Sequence, residues 1–372
     1  MLSRSKEIPI ALNRHDVGST HPIHAEGKII HPVNTGREHD PALQRSDAAN
    51  LEATNSGTKR PGTVLLSGGS GMVGRAVRGA LLERGIGVLQ LVRHEPRAAG
   101  ELQWKPDGVT PFPDTEPLEG VRAAIHLSGA NVAAHRWTAA YKREIWQSRV
   151  QSTRALAEAL AGLCRPPETL VVASATGIYG DRGDTLLDET SAPGEGFLAD
   201  VCREWEAAAL PAVKAGIRVV HARFGVVLGR GEGALAKMLP LFRLGLGGRL
   251  GSGRQWVSWV SLDDVVRAIL FALDTAGVQG PVNVTAPNPV TNAQLTQALA
   301  KAVHRPAILP APAFALRLAL GEMADDALLA SARAVPRKLS EAGFRFAYPT
   351  IEEALARVVA GPGRNDDRRA GD

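Results

Sequence analysis

Residues 63–75, TVLLSGGSGMVGR, constrain this chain more than any other stretch. Thr63, Val64, Leu65 and Leu66 are β-branched or aliphatic and predict a buried strand. Gly68, Gly71 and Gly74 follow at intervals of three, where the strand gives way to a helix. Met72, Val73, Val77, Ala80 and Leu81 then fall on roughly one helical face. In such a turn Gly68 permits the tight reversal, Gly71 lets the backbone approach a pyrophosphate, and Gly74 lets the helix pack closely on the strand. The unpaired N–H groups and dipole at the helix start favour a phosphate. A glycine triplet alone is a weak signal, and a purely structural turn is the competing reading. The flanking strand, the amphipathic helix and a second strand after it favour a dinucleotide site.

The second strand is residues 88–92, and the position after it is Arg93. A site selective for NAD wants a carboxylate here, accepting from the ribose 2′-hydroxyl. A guanidinium instead suits a 2′-phosphate and leaves that hydroxyl without its acceptor, so NADP(H) is expected rather than NAD(H). Further strands are predicted at 169–173, 217–224 and 283–287, and within 123–131, where the strand ends in a small-residue turn. Helices are predicted at 141–160, 201–213, 294–303 and, from the Ser261 cap, to residue 273. A mostly apolar helical stretch is read over 313–335. Strands alternating with helices imply an α/β protein: a Rossmann-type doubly wound parallel sheet with a smaller C-terminal substrate-side domain. The expected organisation is a disordered N-terminal extension at 1–60, a nucleotide-binding domain at 61–230, and a substrate-side region at 231–360 with late Rossmann elements interleaved. A frayed tail at 361–372 completes it.

Composition narrows the function classes. A formal charge of +5 and a pI of about 9.4 hint at polyanions, but aromatics make up only 5% of the chain and basic residues are scattered. No nucleic-acid platform is therefore expected. No apolar run approaches a membrane span and no signal-peptide h-region precedes Ser19, so neither a membrane partner nor export is expected. Cys164 and Cys202 lie far apart and fit a reducing, cytoplasmic setting. His15, His21, His24, His31 and His39 match no compact ligand spacing, and no metal site is expected.

An ordered set of segments carries a resemblance. They include Ser67-Gly68-Gly69-Ser70-Gly71-Met72-Val73-Gly74, Leu127-Ser128-Gly129-Ala130-Asn131, Arg136-Trp137, Glu144-Ile145 with Ser148-Arg149, and Ser174-Ala175-Thr176-Gly177-Ile178-Tyr179-Gly180. Trp205-Glu206, Arg223-Phe224-Gly225-Val226-Val227-Leu228-Gly229, Gly251-Ser252-Gly253-Arg254-Gln255 and Gly321-Glu322-Met323-Ala324 follow. Together the chain resembles an atypical subfamily of extended short-chain dehydrogenase/reductases, often called epimerase-family or nucleoside-diphosphate-sugar-epimerase-like proteins. The resemblance implies that NADP(H) contacts the glycine turn (Gly68, Gly71, Met72, Val73, Gly74), Val92, Arg93, Leu127, Ser128, Glu144, Arg149 and Val227. Glu144 and Arg149 stand roughly 140° apart on an ideal helix and are not expected to pair.

Ordinary members of that superfamily use a Ser, a Tyr and a Lys four residues later. Ser174 holds the serine position, but Leu198 and Cys202 stand where the Tyr and Lys would be. Tyr179 is the only nearby phenol, and it reads either as a core aromatic or as a substitute proton donor. Ser174 and Tyr179 are accordingly the candidate catalytic residues. Glu206 is expected to close a structural hydrogen bond. Trp256 and Trp259 either line a pocket or belong to the core. The expected activity is an NADP(H)-binding oxidoreductase on an unknown small carbonyl or alcohol. The alternatives are a cofactor-binding sensor without turnover and, third, a sugar-nucleotide epimerase. A homodimer is left open.

Overall fold

The structure, a computed structural model, describes residues 62–106 and 110–360. The N-terminal extension and the tail expected from the sequence lie outside the described residues. In chain order the strands are β1 (Val64–Ser67), β2 (Val88–Val92), β3 (Glu101–Gln103), β4 (Ala123–His126), β5 (Thr169–Ala175), β6 (Leu186–Leu187) and β7 (Arg218–Phe224). They continue with β8 (Val226–Leu228), β9 (Trp256–Val257), β10 (Trp259–Ser261), β11 (Gly280–Val284), β12 (Val290–Thr291) and β13 (Arg333–Ala334). The helices are α1 (Met72–Glu83), α2 (Ala139–Ala161), α3 (Phe197–Ala207), α4 (Leu210–Lys214) and α5 (Gly233–Arg243). After them come α6 (Leu262–Asp274), α7 (Asn292–Val303), α8 (Ala313–Leu320), α9 (Arg337–Glu341) and α10 (Ile351–Ala360).

The main sheet runs β11-β7-β5-β4-β1-β2-β3, with every pair parallel. The order reverses beside β1, as in a doubly wound sheet. Both faces are covered, which is why β1 is apolar throughout. Val64 and Leu66 pack with Val77 and Leu81 of α1 and Ile269 of α6, while Leu65 packs on the other side with Leu156 and Leu160 of α2. A third core joins Leu235 and Phe242 of α5 to Leu299 of α7 and Leu355 of α10. Trp259 sits inside it, fully buried, with its indole N–H donating to Asn288 O at 3.0 Å. Trp256 is half-buried, donates to Asp184 at 2.8 Å, and lies under the Arg333 guanidinium.

Two helix readings are corrected. The helix expected at 201–213 starts earlier, at Phe197, and is broken after Ala207. Pro211 has no N–H for the carbonyl of Ala207, and its ring would clash there, so the chain restarts at Leu210. The stretch expected as one helix over 313–335 is also divided. Helix α8 ends at Gly321, whose φ is +64°, a wide helical turn spans Ala324–Leu329, and β13 then pairs with β6. The Ser261 hydroxyl does cap α6, accepting from Asp264 N–H at 3.0 Å.

Candidate nucleotide-binding site

Because the main strands are parallel, the ends of β1, β2, β4 and β5 open on one edge, and the turns that follow them meet there. Gly68 has φ +73°, and a Cβ on it would lie 2.6 Å from the Leu127 carbonyl carbon and 2.8 Å from Ser128 N. Only glycine lets the turns after β1 and β4 touch. Gly74 is as tightly placed, but against the turn and not the strand: its Cβ would fall 2.2 Å from Gly68 O. Gly71 differs. It is exposed, meets only Gly68 O at 3.4 Å, and precedes a helix whose first turn has no side-chain cap. Its open face and the N–H groups of Met72 and Val73 suit a phosphate oxygen.

Several of the residues expected around the cofactor lie at this edge. Val92 ends β2 buried, and Arg93 follows it exposed, with no side-chain hydrogen bond among the described residues. Leu127 and Ser128 are half-buried beside Gly68. Val227 lies on β8, and its carbonyl faces Gly233. The Met72 side chain packs on Gly229 and Gly233, and Arg75 pairs with Glu232, so the segment before α5 roofs the glycine turn.

Glu144 and Arg149 share α2 without pairing. Glu144 is exposed. Arg149 is half-buried, donates to Ile145 O at 3.2 Å and Ala130 O at 2.9 Å, and lies 5.1 Å from the Trp205 ring centre. It also lines Gly129, where a Cβ would come within 3.2 Å of the guanidinium. Burial lowers its pKa from the ordinary arginine value. Carbonyls leave its charge uncompensated, so the position suits an anion.

At the end of β5 the candidate catalytic hydroxyls are already engaged. Ser174 Oγ donates to Glu206 Oε1 at 2.7 Å. Arg223 grips the same carboxylate through Nε and Nη2, both at 2.8 Å, and donates through Nη1 to the Tyr179 oxygen at 3.1 Å. The Tyr179 hydroxyl is buried, with Asn283 Oδ1 at 2.8 Å and Asp188 O at 2.9 Å as acceptors. Burial pushes its pKa up. Ser174 and Tyr179 thus belong to one buried network with Glu206, Arg223 and Asn283, and neither hydroxyl hydrogen points at open space.

Cys202, in the lysine's place, is buried, and burial pushes its thiol up to about 12. A thiol reagent is therefore expected to label only the exposed Cys164 in the native protein and Cys202 on unfolding. Rapid labelling of both native thiols would contradict that burial.

Leu198, in the tyrosine's place, packs over Gly177 and lines a cavity of ≈ 230 Å³ together with Gly180, Arg317, Asp325 and Asp326. Arg317 and Asp325 form an ion pair. Asp326 accepts from Leu198 N–H at 3.4 Å, and burial raises its carboxyl pKa. These three residues were missed in the sequence. Their one signal is their position around the Gly321-Glu322-Met323-Ala324 segment.

The fold and this edge define a Rossmann-type dinucleotide-binding protein. Residues 64–285 match the family described as NAD dependent epimerase/dehydratase, and residues 311–358 match a domain of unknown function, DUF1731. The chain belongs to the NAD dependent epimerase/dehydratase family. It is 44% identical to an epimerase family protein of Mycobacterium leprae, over 82% of this chain and 98% of that one. It is 37% identical to epimerase family protein YfhF of Bacillus subtilis, over 80% and 98%. The crystal structure of human epimerase family protein SDR39U1 (isoform2) with NADPH superposes with a TM-score of 0.74 at 32% identity, covering 80% of this chain and 99% of that one.

Proposed function

We propose that this chain is an NADP(H)-binding oxidoreductase of the atypical short-chain dehydrogenase/reductase kind, acting on a small carbonyl or alcohol. One observation carries the reading. The glycine turn, with its open Gly71 and uncapped helix start, lies on the same strand-end edge as Arg93 and Arg149, two arginines without a carboxylate partner among the described residues. The turn would take the pyrophosphate, and Arg93 would take a 2′-phosphate through a charge-assisted contact. Bound NADP(H) would supply the hydride. The chain's own part is to orient the cofactor and to shape the substrate side through Leu198 and the cavity beside it. The NADPH in the human relative supports the cofactor choice.

A second reading is a cofactor-binding sensor without turnover. The engaged hydroxyls of Ser174 and Tyr179 favour it, since proton transfer needs a group within reach of substrate. A sugar-nucleotide epimerase wants the same missing acid/base pair and is the weakest of the three.

NADPH is expected to bind at least about tenfold more tightly than NADH, the worth of one charge-assisted contact. Arg93→Ala should lower NADPH affinity and leave NADH affinity nearly unchanged. Calorimetric titration of both cofactors checks this, and equal affinities would refute the role given to Arg93. Turnover of NADPH fluorescence against a carbonyl library then separates the readings, because tight binding without turnover selects the sensor.

A further inference from the structure

Helix α8 reads AFALRLAL, yet none of its residues is buried. Phe314 and Leu318, one turn apart, are 72% and 77% exposed. Neighbouring segments adjoin the helix, Leu250 bridging to Ala311 two residues before α8. Leu246 pairs with Ala307 in an antiparallel bridge, and Leu309 N–H donates to Gly247 O at 3.2 Å. These segments also carry Leu244 and Ile308, which are 72% and 73% exposed. Isolated apolar side chains on a surface need no explanation, but several large ones on adjoining segments do.

The charge along the segments beside α8 has one sign, whereas on α8 itself Arg317 pairs with the exposed Asp325. The sequence contains no Asp or Glu from residue 233 to 262, nor from 275 to 321, and these two segments build the face. Arg243, Arg249, Arg254, Lys301 and Arg305 within them are exposed. None of the five pairs with a carboxylate among the described residues. Arg305 Nε donates to the main-chain Arg243 O at 3.3 Å, which holds the Arg305 side chain against the backbone at the end of α5. A two-fold dimer through this face would set its basic rim against a like rim. Large apolar side chains ringed by arginine instead match the acyl boundary and anionic headgroups of a bilayer.

We propose that the face made by α8 and the paired segments 244–249 and 305–309 docks on an anionic lipid surface. Phe314, Leu318, Leu244 and Ile308 enter the headgroup boundary, and Arg243 and Arg305 meet lipid phosphates. No helix among the described residues is long and apolar enough to cross a membrane, so the contact is with one leaflet. Arg317, on the same helix, lines the cavity beside Leu198, so docking brings that cavity to the lipid surface.

The test is flotation of the full chain with vesicles of phosphatidylcholine alone and with phosphatidylglycerol added. Binding is expected only to the anionic vesicles and should weaken as salt rises. The double variants Phe314→Ser/Leu318→Ser and Arg243→Glu/Arg305→Glu should each reduce vesicle binding by about tenfold or more. All four positions are exposed, so melting temperature and NADPH affinity should stay at the wild-type values. Absence of binding to anionic vesicles, or binding retained by both double variants, would overturn the proposal. So would a wild-type dimer that Phe314→Ser/Leu318→Ser converts to monomer, because the face would then belong to a second copy.

Discussion

Glu206→Ala is expected to destabilise the protein by about 3–5 kcal/mol, the usual loss when one partner of a buried ion pair is removed. The side chains of Arg223 and Glu206 are 6% and 13% exposed, so solvent does little to screen the charge left behind. The substitution strands the Arg223 guanidinium, takes the acceptor from Ser174 and loosens the contact to Tyr179. Strands β5 and β7 and helix α3 lose their shared anchor together. Urea denaturation followed by circular dichroism measures the loss, and a change below about 1 kcal/mol would mean the network does not hold the strand ends. Arg223→Met added to Glu206→Ala should recover part of the stability, because it removes the unpaired charge. Tyr179→Phe keeps the ring and deletes one hydrogen-bonding group, so its expected cost is smaller, about 1–2 kcal/mol.

Gly74→Ala should abolish useful cofactor binding, with affinity falling about a hundredfold or more, or roughly 2.7 kcal/mol. The added Cβ would lie 2.2 Å from Gly68 O and 2.8 Å from both Gly68 C and Gly69 Cα. These are backbone atoms of the turn itself, so α1 must move off the turn and carry its N–H groups away from the phosphate position. Gly79→Ala is the internal control. It lies on the same helix with nothing within 4 Å of its would-be Cβ. By helix propensity it should stabilise the protein by about 0.5–1 kcal/mol and leave NADPH affinity unchanged. Titrating NADPH against both variants separates a steric effect at the turn from a general effect on α1. Normal binding by Gly74→Ala would show that the turn tolerates the helix's displacement.

Much of the nucleotide side was legible because its constraints are local. A positive φ at Gly68 and the close approach at Gly74 act over a few residues, so the spacing of glycines after an apolar strand already shows them. The alternation of strands and helices likewise pointed to a parallel sheet, since the central strand β1, covered on both faces, had to be apolar on both. The absence of the Tyr and Lys was equally plain, because Leu198 and Cys202 can supply neither a phenol nor an ammonium. Helix ends were less legible. The break before Leu210 and the stop at Gly321 turn on one proline and one glycine within stretches that otherwise read as continuous helix.

What the sequence by itself determined, then, is a strand–turn–helix nucleotide motif in a doubly wound sheet and an active helix without its usual acid/base. Only the tertiary structure decided what surrounds Tyr179. Its partners Arg223 and Asn283 are 44 and 104 residues away in sequence, and burial beside them turns a candidate proton donor into part of an interior network. Arg149 is a similar case. Its charge was visible, but its setting among the Ala130 carbonyl, the Trp205 ring and the space left by Gly129 depends on how α2 and α3 pack. Helix α8 shows the remaining gap. Its apolar sequence calls for burial, but which surface an apolar residue meets depends on packing over the whole chain, and here the fold leaves Phe314 and Leu318 facing outward.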